Sequence, residues 1–173
     1  MKPFQFLLLD AGPIIKLFEL EIWDTFVEKC DVTIGRTVAE EAAFVSREEC
    51  NESIELSPYE QKGQIKIIDV QPSLVKAFYD KFDLSYKAII DDGEKETLAF
   101  RFNSSEEKLI CSADHAVFRV LAVLGKEEWG ISLEEVLNKI GLSRALEWKY
   151  TKKFRDKYTR TGQIESIQNK GLH

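Results

Sequence analysis

Two apolar runs in this chain end on an aspartate: residues 6–9 lead into Asp10, and "KLICSAD" (108–114) leads into Asp114. In an open parallel sheet such strand ends face the edge where ligands bind. Two further acidic stretches, "TVAEEA" (37–42) and "DDGEKET" (91–97), read as helices able to reach that edge. Carboxylates gathered in one place repel one another and raise each other's pKa. A divalent cation removes that penalty, and an all-oxygen donor set suits Mg²⁺ or Mn²⁺. Such ions activate water and steady the charge of an in-line phosphoryl displacement. Taken singly, each acid also has a plainer role. Asp10 and Asp114 are each well placed to cap a helix, and Glu41 and Glu96 each fit a solvated helix face.

The elements that must hold these acids follow from periodicity and punctuation. Residues 4–9 predict a buried strand. Pro13 then suits a first helical turn, with Ile14, Ile15, Leu17, Phe18 and Ile22 as the apolar stripe. A second strand is expected over 32–34, a helix from a Thr37 cap to about Arg47, a third strand over 63–70 and a helix over 72–82. Asp91 or Asp92 can cap the helix "GEKETLAFRF". Asp114 opens another, striped by Val117, Val120, Leu121 and Leu124 and stopped by Gly125. Helices over 132–141 and 143–158 complete the series, with 161–173 expected to fray. Strands alternating with helices predict an α/β fold, a three-layer sandwich with a central parallel sheet flanked by helices. The expected organisation is a domain over 1–142 with a helix and tail, 143–173, packed on it.

With 173 residues, 44% of them hydrophobic, the chain is long enough for a sizeable core. Its net charge of −6 does not advertise nucleic-acid or membrane binding as a whole, although metal-binding carboxylates would themselves contribute to that balance. Cys30, Cys50 and Cys111 are odd in number and widely spaced, which argues against a disulfide framework or structural zinc and for a reduced, cytoplasmic setting. The N-terminal apolar run is too short for a signal-peptide core or a membrane span. His115 and His173 support no Ser-His-Asp or Cys-His arrangement, and no glycine-rich phosphate loop is present.

In family order, four segments resemble the PIN-domain nucleases, the family that includes the VapC-type toxins. "LLLDAGPIIKL" resembles the first strand and first acid, and "TIGRTVAEEA" the second-acid segment. "DDGEKETLAF" resembles the Gly-Glu-x-Glu helix of one subgroup, and "LICSADHAVFRVLAVLG" the segment where Thr/Ser-x-Asp closes a strand. The resemblance implies a PIN-like, Mg²⁺- or Mn²⁺-dependent endoribonuclease with Asp10, Glu41, Glu96 and Asp114 as its catalytic metal ligands. Within the acidic pairs, Glu40 is the alternative to Glu41 and Glu94 the alternative to Glu96. Ser112 is a possible accessory that hydrogen-bonds Asp10 or an activated water, or else a plain strand-end hydroxyl. The subgroup often shows Asp-Asp where this chain has Ala113-Asp114, so one accessory acid is absent. The resemblance further implies RNA as substrate, a possible small antitoxin blocking the acidic pocket, a homodimer and no membrane partner.

A module that keeps the PIN-like shape but binds RNA or a partner without cleaving is the alternative. A phosphoacceptor receiver domain also places acids at strand ends, but the acidic pair usual near its start is absent. The segment "KYTKKFRDKYTR" (149–160) carries six basic residues and one acid, interleaved with Tyr150, Phe154 and Tyr158. Recurring every four residues, these aromatics share a helix face. That face either packs on the domain or meets RNA, with phosphates on the cations and bases on the rings.

Overall fold

The computed structural model describes residues 2, 4–50 and 53–173. Five strands form one all-parallel sheet: β1 (Phe4–Leu9), β2 (Cys30–Gly35), β3 (Ile65–Ile68), β4 (Leu109–Cys111) and β5 (Gly130–Ile131), in the order β3-β2-β1-β4-β5. Helices cover both faces, so the molecule is a three-layer α/β sandwich. The central strand shows why. Leu7, Leu8 and Leu9 are all fully buried, and they alternate between two cores. Leu7 and Leu9 join one core with α1 (Ala11–Glu19), α2 (Trp23–Lys29), α3 (Arg36–Cys50) and α9 (Leu133–Ile140). Leu8 points to the other, with α5 (Pro72–Tyr79), α6 (Leu84–Lys87), α7 (Asp92–Asn103) and α8 (His115–Val123). A strand buried on both faces reads as an unbroken apolar run, as "FLLL" does. The short α4 (Ser57–Gln61) precedes β3. No helix among the described residues is long and apolar enough to cross a membrane.

The chain builds β2 and β3 on one side of β1, then crosses to build β4 and β5 on the other. The order therefore reverses between β1 and β4, which opens a crevice at their carboxyl ends. Asp10 and Ser112 stand at that point.

Several local expectations are corrected. The stripe expected to continue to Ile22 ends at Glu19. Glu21 adopts a left-handed φ of 56°, and a second helix, α2, starts at Trp23. Packing drives this break, because the Trp23 ring stacks on Phe18 with centroids 4.9 Å apart. Thr37 does not cap α3: the helix already begins at Arg36, and the Thr37 hydroxyl donates to Glu96 instead.

The last helix is displaced. Residues 142–147 carry no helix, Trp148–Tyr150 form a single tight turn, and α10 runs over Lys152–Ile167. The Thr151 hydroxyl caps it by accepting from the Phe154 N–H. The segment expected to fray is held. Arg119 pairs with Glu165 at 2.7 Å, the Gly171 N–H donates to Asp83 at 2.6 Å, and Leu172 bridges Phe82. Cys30 and Cys111 are buried free thiols, and the Cys50 side chain lies outside the described residues.

Candidate metal centre

Register brings the first two site residues together. β1 pairs with β4 through Leu9 opposite Cys111, and the Asp10 N–H continues that ladder to the Cys111 carbonyl at 3.0 Å. Asp10 therefore lies level with Ser112, whose hydroxyl donates to Asp10 Oδ2 at 2.7 Å. Asp10 Oδ1 accepts the Ala11 N–H at 2.9 Å, so Asp10 also caps α1. Ser112 Oγ in turn accepts the Asp114 N–H at 3.0 Å, and Asp114 caps α8 by accepting from Ala116. The capping and clustering roles thus coexist in the same residues.

Two helices bring further acids to this edge. α3 carries Glu41, half-buried, whereas its neighbour Glu40 is exposed. The N-terminus of α7 supplies Asp91 and Glu94, which form a reciprocal capping box: Asp91 accepts the Glu94 N–H at 2.8 Å, and Glu94 accepts the Asp91 N–H at 3.0 Å. Gly93 lets the two helices approach. A Cβ there would stand 3.1 Å from Glu41 Oε2 and 3.6 Å from Asp91 Oδ1.

These groups act on one another. Burial pushes the Asp10 carboxyl up to about 6, against the lowering effect of its Ser112 and Ala11 hydrogen bonds, and Asp91 and Asp114 raise it further. Burial and then Asp91, Asp10 and Asp114 push Glu41 up to about 7. Glu94, only 1% exposed, is held well above the usual carboxylate range by burial and by Asp10, Asp114 and Asp91. Asp91 is raised as well, first by its partial burial. Mutual elevation of this kind marks carboxylates that share a site.

Of the four acids singled out by resemblance, three lie in this cluster: Asp10, Glu41 and Asp114. Glu96 is turned away. Its Oε1 accepts the Thr37 N–H at 3.3 Å, its Oε2 accepts the Thr37 hydroxyl, and Oε1 would lie 2.5 Å from a Cβ placed on Gly35. Glu94 occupies the corresponding place in the cluster. Asp91, expected from the sequence only as a helix cap, is a further member. The Asp-x-x-Glu spacing of Asp91 and Glu94 was the signal for it, since a capping box holds both carboxylates at one helix start.

The donor set is all oxygen, and the neighbouring charges that raise it are carboxylates, which fits a hard divalent cation. Among the described residues, no three or more His, Cys, Asp or Glu side chains are grouped so that they could hold a metal ion as they stand. No family model matches the chain, and comparison with curated protein sequences finds no significant match.

Proposed function

We propose that this chain is a PIN-like, metal-dependent ribonuclease whose centre is the crevice between β1 and β4. Asp10, Glu41, Glu94 and Asp114 would hold Mg²⁺ or Mn²⁺, with Asp91 beside them. The single observation that supports this reading is the link from Asp10 through the Ser112 hydroxyl to Asp114 at the switch point of a parallel sheet, with Glu41, Asp91 and Glu94 among the acids that interact there. A divalent cation held there would supply the Lewis acidity that phosphodiester hydrolysis needs. The chain's own groups set the stage. The Ser112 hydroxyl and the Ala11 N–H fix both oxygens of Asp10 and keep that carboxylate ionisable despite its burial.

A second reading, a module that binds RNA without cutting it, is favoured by the lack of such a grouping among the described residues. One experiment separates the two. Thermal melting is followed with and without Mn²⁺ for the wild type and Asp10→Asn, beside an RNA cleavage assay. The nuclease reading expects Mn²⁺ to raise the melting temperature of the wild type, because it binds only the folded state, and expects Asp10→Asn to lose both that rise and cleavage. A wild type whose melting is unmoved by millimolar Mn²⁺ and which leaves RNA intact sinks it.

A further inference from the structure

The basic-aromatic segment lies beside the acidic crevice. Tyr150 is buried, its hydroxyl donates to the Gly12 carbonyl at 3.3 Å, and its ring lies near Gly12, two residues from Asp10. Phe154 is buried against Phe118 of α8. These two rings anchor the segment, whereas Trp148 is exposed and Tyr158 and His115 are half-buried. Trp148 is 49% exposed. From it a row of rings runs to Tyr158 (6.1 Å) and on to His115 (5.3 Å), the residue next to Asp114. The Lys157 ammonium lies 5.0 Å from the Trp148 ring centre and 5.3 Å from that of Tyr158. Lys149, Lys152, Lys153 and Arg160 are exposed around the row, and the acid within it, Asp156, is paired with Arg155. In a chain of net charge −6, a cationic patch built on an exposed tryptophan is complementary to a polyanion with stackable bases.

We propose that this row is a binding platform for single-stranded nucleic acid, with Trp148 as the base-stacking ring and Lys149, Lys153 and Lys157 as phosphate contacts. The strand would run over His115 into the crevice at Asp10 and Asp114. Single strands suit such a surface because their unpaired bases are free to stack on rings while the backbone tracks the cations. The proposal rests on the nuclease reading for its direction, but not for its test.

The test is fluorescence anisotropy of a labelled single-stranded RNA about 12 nucleotides long, titrated in EDTA so that no cutting intervenes. Trp148→Ala is expected to weaken binding about tenfold, the scale of one lost stacking contact. The Lys153→Ala/Lys157→Ala double variant leaves every ring in place and guards against a folding artefact. It is expected to weaken binding and to flatten the slope of log Kd against log salt by about 1.4. A duplex of the same sequence should bind less tightly than the single strand. Wild-type affinity in both variants, equal binding of duplex, or displacement of the RNA only by an acidic peptide overturns the platform. If the platform variants bind as wild type while Asp10→Asn abolishes cleavage, the platform fails and the nuclease stands. If the platform variants lose binding while Asp10→Asn still cuts, the metal assignment fails and the platform stands.

Discussion

Glu96 clasps Thr37 across the gap between α7 and α3: one carboxylate accepts both the backbone N–H and the hydroxyl of the same residue. Thr37 lies in the first turn of the helix that carries Glu41, so the clasp fixes how that helix leaves the sheet. Glu96→Gln keeps the shape but loses the charge-assisted acceptor. It is expected to cost about 1–2 kcal/mol in urea denaturation and to leave Mn²⁺ affinity near wild type by calorimetric titration. Glu94→Gln is expected to do the opposite. It leaves the stability of the metal-free protein near wild type, because the amide oxygen still accepts the Asp91 N–H, and it weakens Mn²⁺ binding. Loss of Mn²⁺ binding in Glu96→Gln alone would show that Glu96 is the ligand and that the clasp breaks when metal enters.

Ser112 offers a subtler test of the same centre. Its hydroxyl is the principal hydrogen bond lowering the pKa of Asp10 against burial. Ser112→Ala should therefore raise the Asp10 pKa above about 6. Mn²⁺ affinity should then fall more at pH 6 than at pH 8, because a proton competes for the ligand only at the lower value. A loss of affinity that is the same at both pH values would assign Ser112 a purely packing role.

The contact between α10 and α8 depends on one missing side chain. A Cβ on Gly162 would stand 2.5 Å from the Arg119 carbonyl oxygen and 2.8 Å from the Ala122 Cβ, so the helices meet backbone to backbone. Gly162→Ala gains helix propensity but forces the helices apart. Overpacking of this kind costs about 1–3 kcal/mol. The expected result is a lower melting temperature with Mn²⁺ affinity little changed, since the clash falls at Arg119 and Ala122, one to two turns along α8 from its cap at Asp114.

These outcomes also mark where sequence reasoning reached its limit. Asp10 and Asp114 were legible because an apolar run ending on an acid before a helix is a pattern in the chain itself. Glu41 was separable from Glu40 only by register, and in the fold Glu40 is exposed. Glu94 and Glu96 could not be separated by type. Two residues apart on a helix, they face different ways. Which one enters the crevice depends on the rotation of α7, set by the Asp91–Glu94 box and the Thr37 clasp, both invisible in a linear pattern. The strand β5 is two residues long, too short to register as a period. The helical stripe of Tyr150, Phe154 and Tyr158 was real in spacing, yet Tyr150 precedes the cap at Thr151. The stripe is therefore shared between a tight turn and a helix, and the same spacing serves burial at Phe154 and a half-buried Tyr158 beside the exposed Trp148.

The sharpest prediction concerns pH. In the metal-free protein Asp10 titrates at about 6 against an ordinary 3.8, Glu41 at about 7 against 4.5, and Glu94 higher still. A carboxyl whose folded pKa is raised binds its proton more tightly when folded. Its contribution to stability is therefore fully present below the unfolded pKa and is lost as pH rises through the folded one. For the buried Asp10 alone the loss is about 2–3 kcal/mol between pH 4 and pH 7. The paired surface acids act in a different window. Asp83, lowered to about 2 mainly by the Ser85 hydroxyl, gives up its contribution only below about pH 4. Between pH 5 and pH 9 the cluster therefore dominates, and stability in EDTA should fall steadily as pH rises. Mn²⁺ should reverse that slope, because a cation replaces the lost protons and binds more tightly as they leave. Urea denaturation at pH 5, 7 and 9, with EDTA and with Mn²⁺, reads both slopes. In Asp10→Asn the EDTA slope should be shallower. A flat EDTA profile in the wild type would mean that the acids do not share the crevice, and the metal centre would have to be abandoned along with it.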